Sequence, residues 1–224
     1  LEADAIFCFG TGVGTLYSSV VTTRTIPFGS LKNNKVYGVR ESGKASKVNE
    51  ILFISQYRTP VWKEGVPGMP VGSRHILWDD FYSIETELLP RLQDFALDHG
   101  YKLKICGASS NEVNEEKEYF RSLLGEASWE YVEKTSSFAS YSLLDGSKII
   151  AFIDSTLGYE AFGRGEKIAA FPARGMVLEA EDRGFGWPAA LPDKGPFWSN
   201  IVDDLEVERV MNHIVSINEK DWDI

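Results

Sequence analysis

From residue 50 onward, short apolar runs alternate with stretches of helical periodicity, and nothing else in the sequence narrows the fold as much. Residues 51–55, inside EILFISQ, are apolar at nearly every position. A strand reads this way when helices cover both faces of its sheet, as in parallel α/β layers. Residues 148–153 (KIIAFI) and 167–171 (KIAAF) read alike, 102–106 (KLKIC) also reads as a strand, and 129–132 make a shorter one. Helical patterns occupy 81–98, 112–124, 138–144, 156–165 and 205–217. The first carries one apolar stripe of Leu88, Leu89, Leu92, Phe95 and Ala96, and Gly100 stands where a left-handed terminal residue belongs. Asp80 is its expected N-cap, and Pro90 should kink it. The alternation predicts an α/β fold, a three-layer Rossmann-like parallel sheet with helices on both faces. Sheets of that kind bind ligands at the carboxyl ends of their strands, where the strand order reverses.

Ahead of residue 50 the pattern is a strand at 5–9, a helix at about 13–21 and a strand at 25–28. From Gly29 to Asn49 the chain is polar, GSLKNNKVYGVRESGKASKVN, and reads as a linker. The expected division is therefore residues 1–48, the tail of an N-terminal domain plus linker, and residues 49–224, the α/β domain. FGTGVGT at residues 9–15 imitates a dinucleotide fingerprint. Its third glycine position holds Thr15, and no acidic residue closes a second strand, so a tight strand-to-helix turn accounts for the glycines. The Pro/Gly-rich stretch 57–73 reads as a long loop, a kind of segment that is usually functional or mobile.

Charge and side-chain chemistry exclude several functions. The formal net charge of the 224 residues is -10. No basic stripe with interleaved aromatics offsets it, so no nucleic-acid partner is expected. An anionic small molecule still fits, because it needs only a local positive field. Cys8 and Cys106 lie in apolar strands and read as buried, reduced thiols. His75, His99 and His213 lack ligand spacing, so no metal and no cofactor are expected. No signal peptide is read in these residues and no apolar run comes near the ~18 residues of a membrane helix, so the expectation is a cytoplasmic protein without a transmembrane segment.

The sharpest candidate site is IIAFIDSTLGYEAFGRGEKIAAFP. A buried strand ends at Asp154, and Ser155, Thr156 and Gly158 then open a helix. Unpaired N–H groups and the helix dipole make such a start an anion site, two hydroxyls add donors, and Gly158 gives a phosphate room. Glu160 follows, and its carboxylate can accept both hydroxyls of a ribose. A plain N-cap by Ser155 or Thr156 fits the same residues. Arg58 and Arg174 each follow a strand and are placed to meet an anion at the sheet edge. His75 and Asp79, in GSRHILWDD, are the weak candidates for a catalytic base. Phe185, Trp187 and Trp198 are candidates for a sugar or acceptor wall, or for aromatic packing of a long loop.

The run STLGYEAFGRGEKIAAFP resembles the S/T-x-G-x-E…G-K segment of GT-B-type glycosyltransferases and related sugar-nucleotide enzymes. IPFGSLKNN, EILFISQYR and RGFGWPAALPDKGPFWSN are similar, in that order, to segments of bacterial surface-carbohydrate and polysaccharide biosynthesis transferases. The resemblance implies the C-terminal, nucleotide-sugar-binding half of such an enzyme, with an N-terminal domain missing and the chain itself an incomplete enzyme. It implies a nucleotide-sugar donor, a saccharide acceptor, and transfer between them in surface-polysaccharide biosynthesis. By the same resemblance Ser155, Thr156 and Gly158 hold the donor phosphate, Glu160 the ribose, and Lys134, Thr135 and Ser136 lie near the base. One departure stands out. Transferases of this kind that use CMP-activated sugars carry a His-Pro pair after the second strand, where this chain reads ICGASSN. A sugar-nucleotide epimerase and a non-catalytic nucleotide-sugar-binding module are the alternatives.

Overall fold

The computed structural model describes residues 3–37, 47–71, 73–136, 138–179 and 184–222. The chain divides into two compact units, residues 1–45 with 186–191, and residues 46–185 with 192–224.

The smaller unit opens with β1 (Ala5–Cys8), α1 (Thr11–Ser18), β2 (Arg24–Pro27) and α2 (Leu31–Tyr37). β1 and β2 pair in parallel from Ala5↔Arg24 to Cys8↔Pro27, with α1 as the crossover. Gly14 lets α1 lie close to β2, since a Cβ there would meet Thr25 Oγ1 at 3.4 Å. The strand-helix-strand pattern is as read from the sequence. The linker is not wholly a linker: residues 31–37 are helical, with the Ser30 hydroxyl accepting the Asn33 N–H at 3.2 Å. The rest of the expected linker, residues 38–46, lies outside the described residues.

The larger unit begins with β3 (Val48–Ile54), which is followed by β4 (Val61–Lys63), β5 (Val66–Val71), β6 (Arg74–Leu77) and the long helix α3 (Trp78–Asp98). Then come β7 (Lys102–Cys106), α4 (Val113–Leu124), β8 (Trp129–Val132), α5 (Ala139–Gly146), β9 (Ser147–Phe152), α6 (Thr156–Gly163) and β10 (Ile168–Ala170). The chain closes with α7 (Arg174–Val177), β11 (Lys194–Gly195), β12 (Trp198–Ser199), α8 (Asp204–Ser216) and α9 (Glu219–Trp222).

Seven strands form one sheet in the order β11-β12-β10-β9-β3-β7-β8. Every pair is parallel except β11 with β12. β3 lies inside it, with Ile51 and Leu52 0% exposed and Phe53 1%, so both faces of the sheet are covered by helices. This is the α/β architecture that the apolar runs predict. The chain leaves β3 toward β7 and β8, then crosses back to β9 and β10 on the other side. Strand order therefore reverses between β3 and β9, which leaves a crevice at their carboxyl ends.

Two readings are corrected. Within the stretch 57–73 expected as a loop, β4 and β5 are strands that form an antiparallel three-stranded sheet with β6, and Glu64 (φ 54°) and Gly65 (φ 79°) make the turn between β4 and β5. Pro67 and Pro70 disguise the middle strand, because proline lacks a ladder donor and is normally confined to edges. Asp80 does not cap α3. The helix starts three residues earlier than expected, with Leu77 at the cap position, and Asp79 and Asp80 lie in the first turn where the dipole favours them. Pro90 lies inside α3, as the sequence has it. The helix runs through it, held by the fully buried Leu88, Leu89 and Leu92 on either side. Gly100 adopts the expected left-handed conformation at φ 69°.

Candidate functional site

A cleft of about 380 Å³ opens at the carboxyl ends of β3, β7 and β9, within the ~300–1,000 Å³ range of small-molecule sites. β3 contributes Ile54 and the Ser55, Gln56 and Arg58 that follow it. β7 contributes Cys106, then Gly107 and Ala108, and the start of α6 contributes Ser155, Thr156 and Leu157. Lys134, Ser140, Met69 and Phe81 complete the wall. Among these lining residues Arg58 and Lys134 are the cations, and none is an aspartate or glutamate. The lining thus carries two cations and no carboxylate in a chain of net charge -10.

Ser155 occupies the cap position of α6 in an extended conformation (φ -72°, ψ 131°) but makes no side-chain capping bond. Its hydroxyl is not spent on the helix. The N–H groups of Thr156 and Leu157 belong to the helix's unpaired first turn. The Gly158 N–H already donates to Ser155 O at 2.9 Å. Gly158 also serves a different purpose from the one expected. A Cβ there would lie 2.3 Å from the Phe152 ring, so the glycine lets α6 pack on β9 rather than making room for a phosphate. Glu160, one turn beyond Thr156 on the same helix, accepts the Tyr141 hydroxyl at 2.6 Å and stands outside the cleft's lining.

Arg174 departs furthest from expectation. Its side chain is 0% exposed, and its guanidinium donates to Phe81 O (2.9 Å), Gln56 Oε1 (3.2 Å), Asp154 Oδ1 and Glu85 Oε1. It also lies over the Phe81 ring, 4.2 Å from the centroid. With its nitrogens taken up by the protein, it is the buried counter-ion that ties α3, α7 and the ends of β3 and β9 together behind the cleft. It does not line the cleft.

A residue that sequence reasoning missed shapes the other wall. Glu116, 0% exposed on α4, accepts the Ser55 hydroxyl, the Ala108 N–H at 3.0 and 3.2 Å, and the Tyr131 hydroxyl at 2.7 Å. One carboxylate thus fixes the ends of β3, β7 and β8. Gly107 is required beside it, since a Cβ would fall 2.3 Å from the Tyr131 oxygen. Burial, then the Glu116 hydrogen bond, raises the Tyr131 hydroxyl far above the ordinary phenol range, so it stays a donor. In the sequence Glu116 is one of two acids, with Glu115, in a helix's first turn. That signal is indistinguishable from plain dipole complementarity.

The remaining candidates scatter. His75 sits on β6, packed over Gly68, with its Nε2 buried and unbonded among the described residues, and it does not line the cleft. Asp79 is exposed and faces a second cavity on α3. Of Lys134, Thr135 and Ser136, only Lys134 reaches the cleft wall. Phe185 stacks on Trp198 (4.9 Å) and on Tyr159 (5.5 Å), as loop packing would have it. Trp187 belongs to the smaller unit. Both cysteines are free and buried. Among the described residues no cluster has the makings of a metal site, and no helix is long and apolar enough to cross a membrane.

Comparison with known proteins gives one family match. The model of a family described as "putative O-antigen biosynthesis protein" matches residues 1–224. No curated protein matches the sequence. Among solved structures, UDP-GlcNAc 2-epimerase from Neisseria meningitidis bound to UDP-GlcNAc is similar with a TM-score of 0.53 at 12% identity, over 99% of this chain and 56% of that one. E. coli ADP-heptose lps heptosyltransferase II gives a TM-score of 0.40 at 17% identity, over 84% and 52%. The wall teichoic acid polymerase TagF gives 0.43 at 12%, over 95% and 52%. The chain therefore spans little more than half the length of these proteins, and the first likeness is one of fold.

Proposed function

This chain belongs to the O-antigen biosynthesis protein family, and on that premise we propose that it is a glycosyltransferase of surface-polysaccharide assembly whose larger unit binds the nucleotide-sugar donor. The observation that carries the reading is the cleft itself. It lies at the switch point of the sheet, its lining cations are Arg58 and Lys134, and the start of α6 faces it with the uncommitted Ser155 hydroxyl.

The donor's phosphates lie against Ser155, Thr156 and the first N–H groups of α6, with Arg58 and Lys134 supplying charge. The base extends toward residues 134–136, and the ribose toward Glu160. An acceptor hydroxyl attacks the anomeric carbon, the bond from that carbon to the phosphate oxygen breaks with its electron pair passing to the phosphate, and the hydroxyl proton goes to the departing phosphate. Donors already aimed at that oxygen stabilise the developing charge without reorganising. Holding the sugar fixed contributes the rest. No carboxylate or imidazole stands among the cleft's described lining residues, so donor binding is the first activity to measure.

A panel of nucleotide diphosphates, monophosphates and nucleotide sugars is screened by thermal shift, where a ligand at 100 times its Kd adds about 2.7 kcal/mol. Thr156→Ala then weakens the best ligand roughly 10- to 150-fold in calorimetric titration, the loss of a hydrogen bond to a charged group. Arg58→Gln and Lys134→Gln each lower the affinity and its salt dependence. Nucleotide affinity unchanged in all three variants defeats the reading. Product analysis with an oligosaccharide acceptor then separates transfer from epimer formation and from binding alone.

A further inference from the structure

A second cavity of about 380 Å³ lies on the N-terminal half of α3, walled by Trp78, Asp79, Tyr82, Ser83, Thr86 and Glu87. We propose that it is a subsite for a neutral pyranose, with the sugar's apolar face on Trp78 and its hydroxyls on Asp79. As an anchoring place for a part of the acceptor away from its reacting hydroxyl, it rests on the glycosyltransferase reading above.

The lining chemistry selects the ligand. The Trp78 indole is half-buried, packed against the rings of Tyr82 (4.5 Å), Tyr119 (5.1 Å) and Tyr57 (6.0 Å) and fixed by its Nε1–H donating to Arg58 O at 3.0 Å, and the part of it that lines the cavity supplies the aromatic surface. A pyranose presents a matching face of C–H groups and buries it on such a ring. Asp79 is exposed, and its carboxylate makes no hydrogen bond or ion pair among the described residues. A carboxylate accepts two adjacent sugar hydroxyls as a fork. The Ser83 and Thr86 hydroxyls donate to Asp80 O (2.9 Å) and Tyr82 O (3.1 Å), which leaves their oxygens as acceptors. Glu87 is held by Arg91 at 2.9 Å.

Charge sets the two cavities apart. The cleft is lined by cations, and this cavity by Asp79 and Glu87 with no lysine or arginine. An anionic nucleotide belongs in the first and is repelled from the second, as are uronic and other acidic sugars. The two share a wall. The Tyr82 hydroxyl accepts the Arg58 N–H at 2.7 Å and donates to Gln56 O at 3.1 Å. Gln56 and Arg58 line the cleft, while Tyr82 and Trp78 line the second cavity. A saccharide on α3 is therefore separated from a donor by residues 56–58 and the side chains bonded to them.

The test is saturation-transfer NMR on the full chain with methyl glycosides of glucose and N-acetylglucosamine, and with glucuronate as the acidic control. The glycosides receive saturation from the protein and glucuronate does not. Asp79→Ala, an exposed position that keeps the fold, weakens glycoside binding about tenfold or more, the loss of a charged acceptor. Nucleotide affinity in that variant stays within twofold. No transfer to either glycoside, equal transfer in Asp79→Ala, or glucuronate binding as well as glucose overturns the subsite. Glycoside binding that depends on Asp79 in a protein that binds no nucleotide leaves the subsite standing and removes the donor reading. Nucleotide binding with no glycoside binding does the reverse.

Discussion

The hydroxyl of Tyr141 donates to Glu160 Oε2 at 2.6 Å, joining α5 to α6 one turn past the start of the candidate phosphate site. Tyr141 is 3% exposed, so packing fixes the phenol and the phenol sets the plane of the carboxylate. This gives the ribose assignment a specific test. Glu160→Gln weakens a nucleoside diphosphate by roughly tenfold or more while leaving pyrophosphate nearly unchanged, because only the former carries the vicinal hydroxyls. Tyr141→Phe acts in the same direction but less, since the carboxylate survives and only its orientation is lost. Calorimetric titration of both ligands reads the difference. Equal losses for the two ligands would assign Glu160 to the α5–α6 contact and not to the ribose.

Gly158 offers the complementary test, because the structure gives it a packing role. Gly158→Ala places a methyl 2.3 Å from Phe152 Cγ, and overpacking of this kind costs typically ~1–3 kcal/mol. The expected result is a lowered urea midpoint with an unchanged slope. Phe152→Leu vacates volume at the same spot. The double variant is therefore more stable than the sum of the two single changes, the signature of direct coupling. A Gly158→Ala protein of full stability with lost nucleotide affinity would return the glycine to the ligand.

Local pattern made some elements legible and hid others. β3, β9 and β10 are visible because strands buried on both faces must be apolar at consecutive positions, as residues 51–54 and 149–153 are. β5 is hidden because Pro67 and Pro70 contradict a paired strand locally, and only the neighbours β4 and β6 reveal it. The α6 site was legible as a strand end followed by hydroxyls. Arg174 was misread for a reason that sequence cannot supply. Its partners Glu85 and Asp154 come from 89 and 20 residues away, and only the folded chain shows that the guanidinium is already used. Glu116 fails similarly, since its donors Ser55, Ala108 and Tyr131 converge from three different strand ends.

The Arg174 cluster carries a pH signature. Two carboxylates, Glu85 and Asp154, share one buried guanidinium, and Glu85 Oε2 finds no hydrogen-bond partner among the described residues. Burial pushes the Glu85 carboxyl from 4.5 up to about 7, outweighing the opposing pull of Arg174. Between those values the folded protein holds a proton that the unfolded chain has released. Stability from this group is therefore full below about pH 4.5, declines as pH rises, and is gone above about pH 7. Glu85→Gln keeps the shape and removes the titration. Comparing urea unfolding at pH 5 and pH 8, the variant gains about 2–3 kcal/mol on the parent protein as pH rises, at 1.36 kcal/mol per pKa unit. An identical pH slope in both would mean that Glu85 stays ionised throughout and that Arg174 dominates. Arg174→Met completes the argument. It strands two buried carboxylates, costs about 3–5 kcal/mol at pH 8, and costs less at pH 5, where Glu85 is protonated in the folded state.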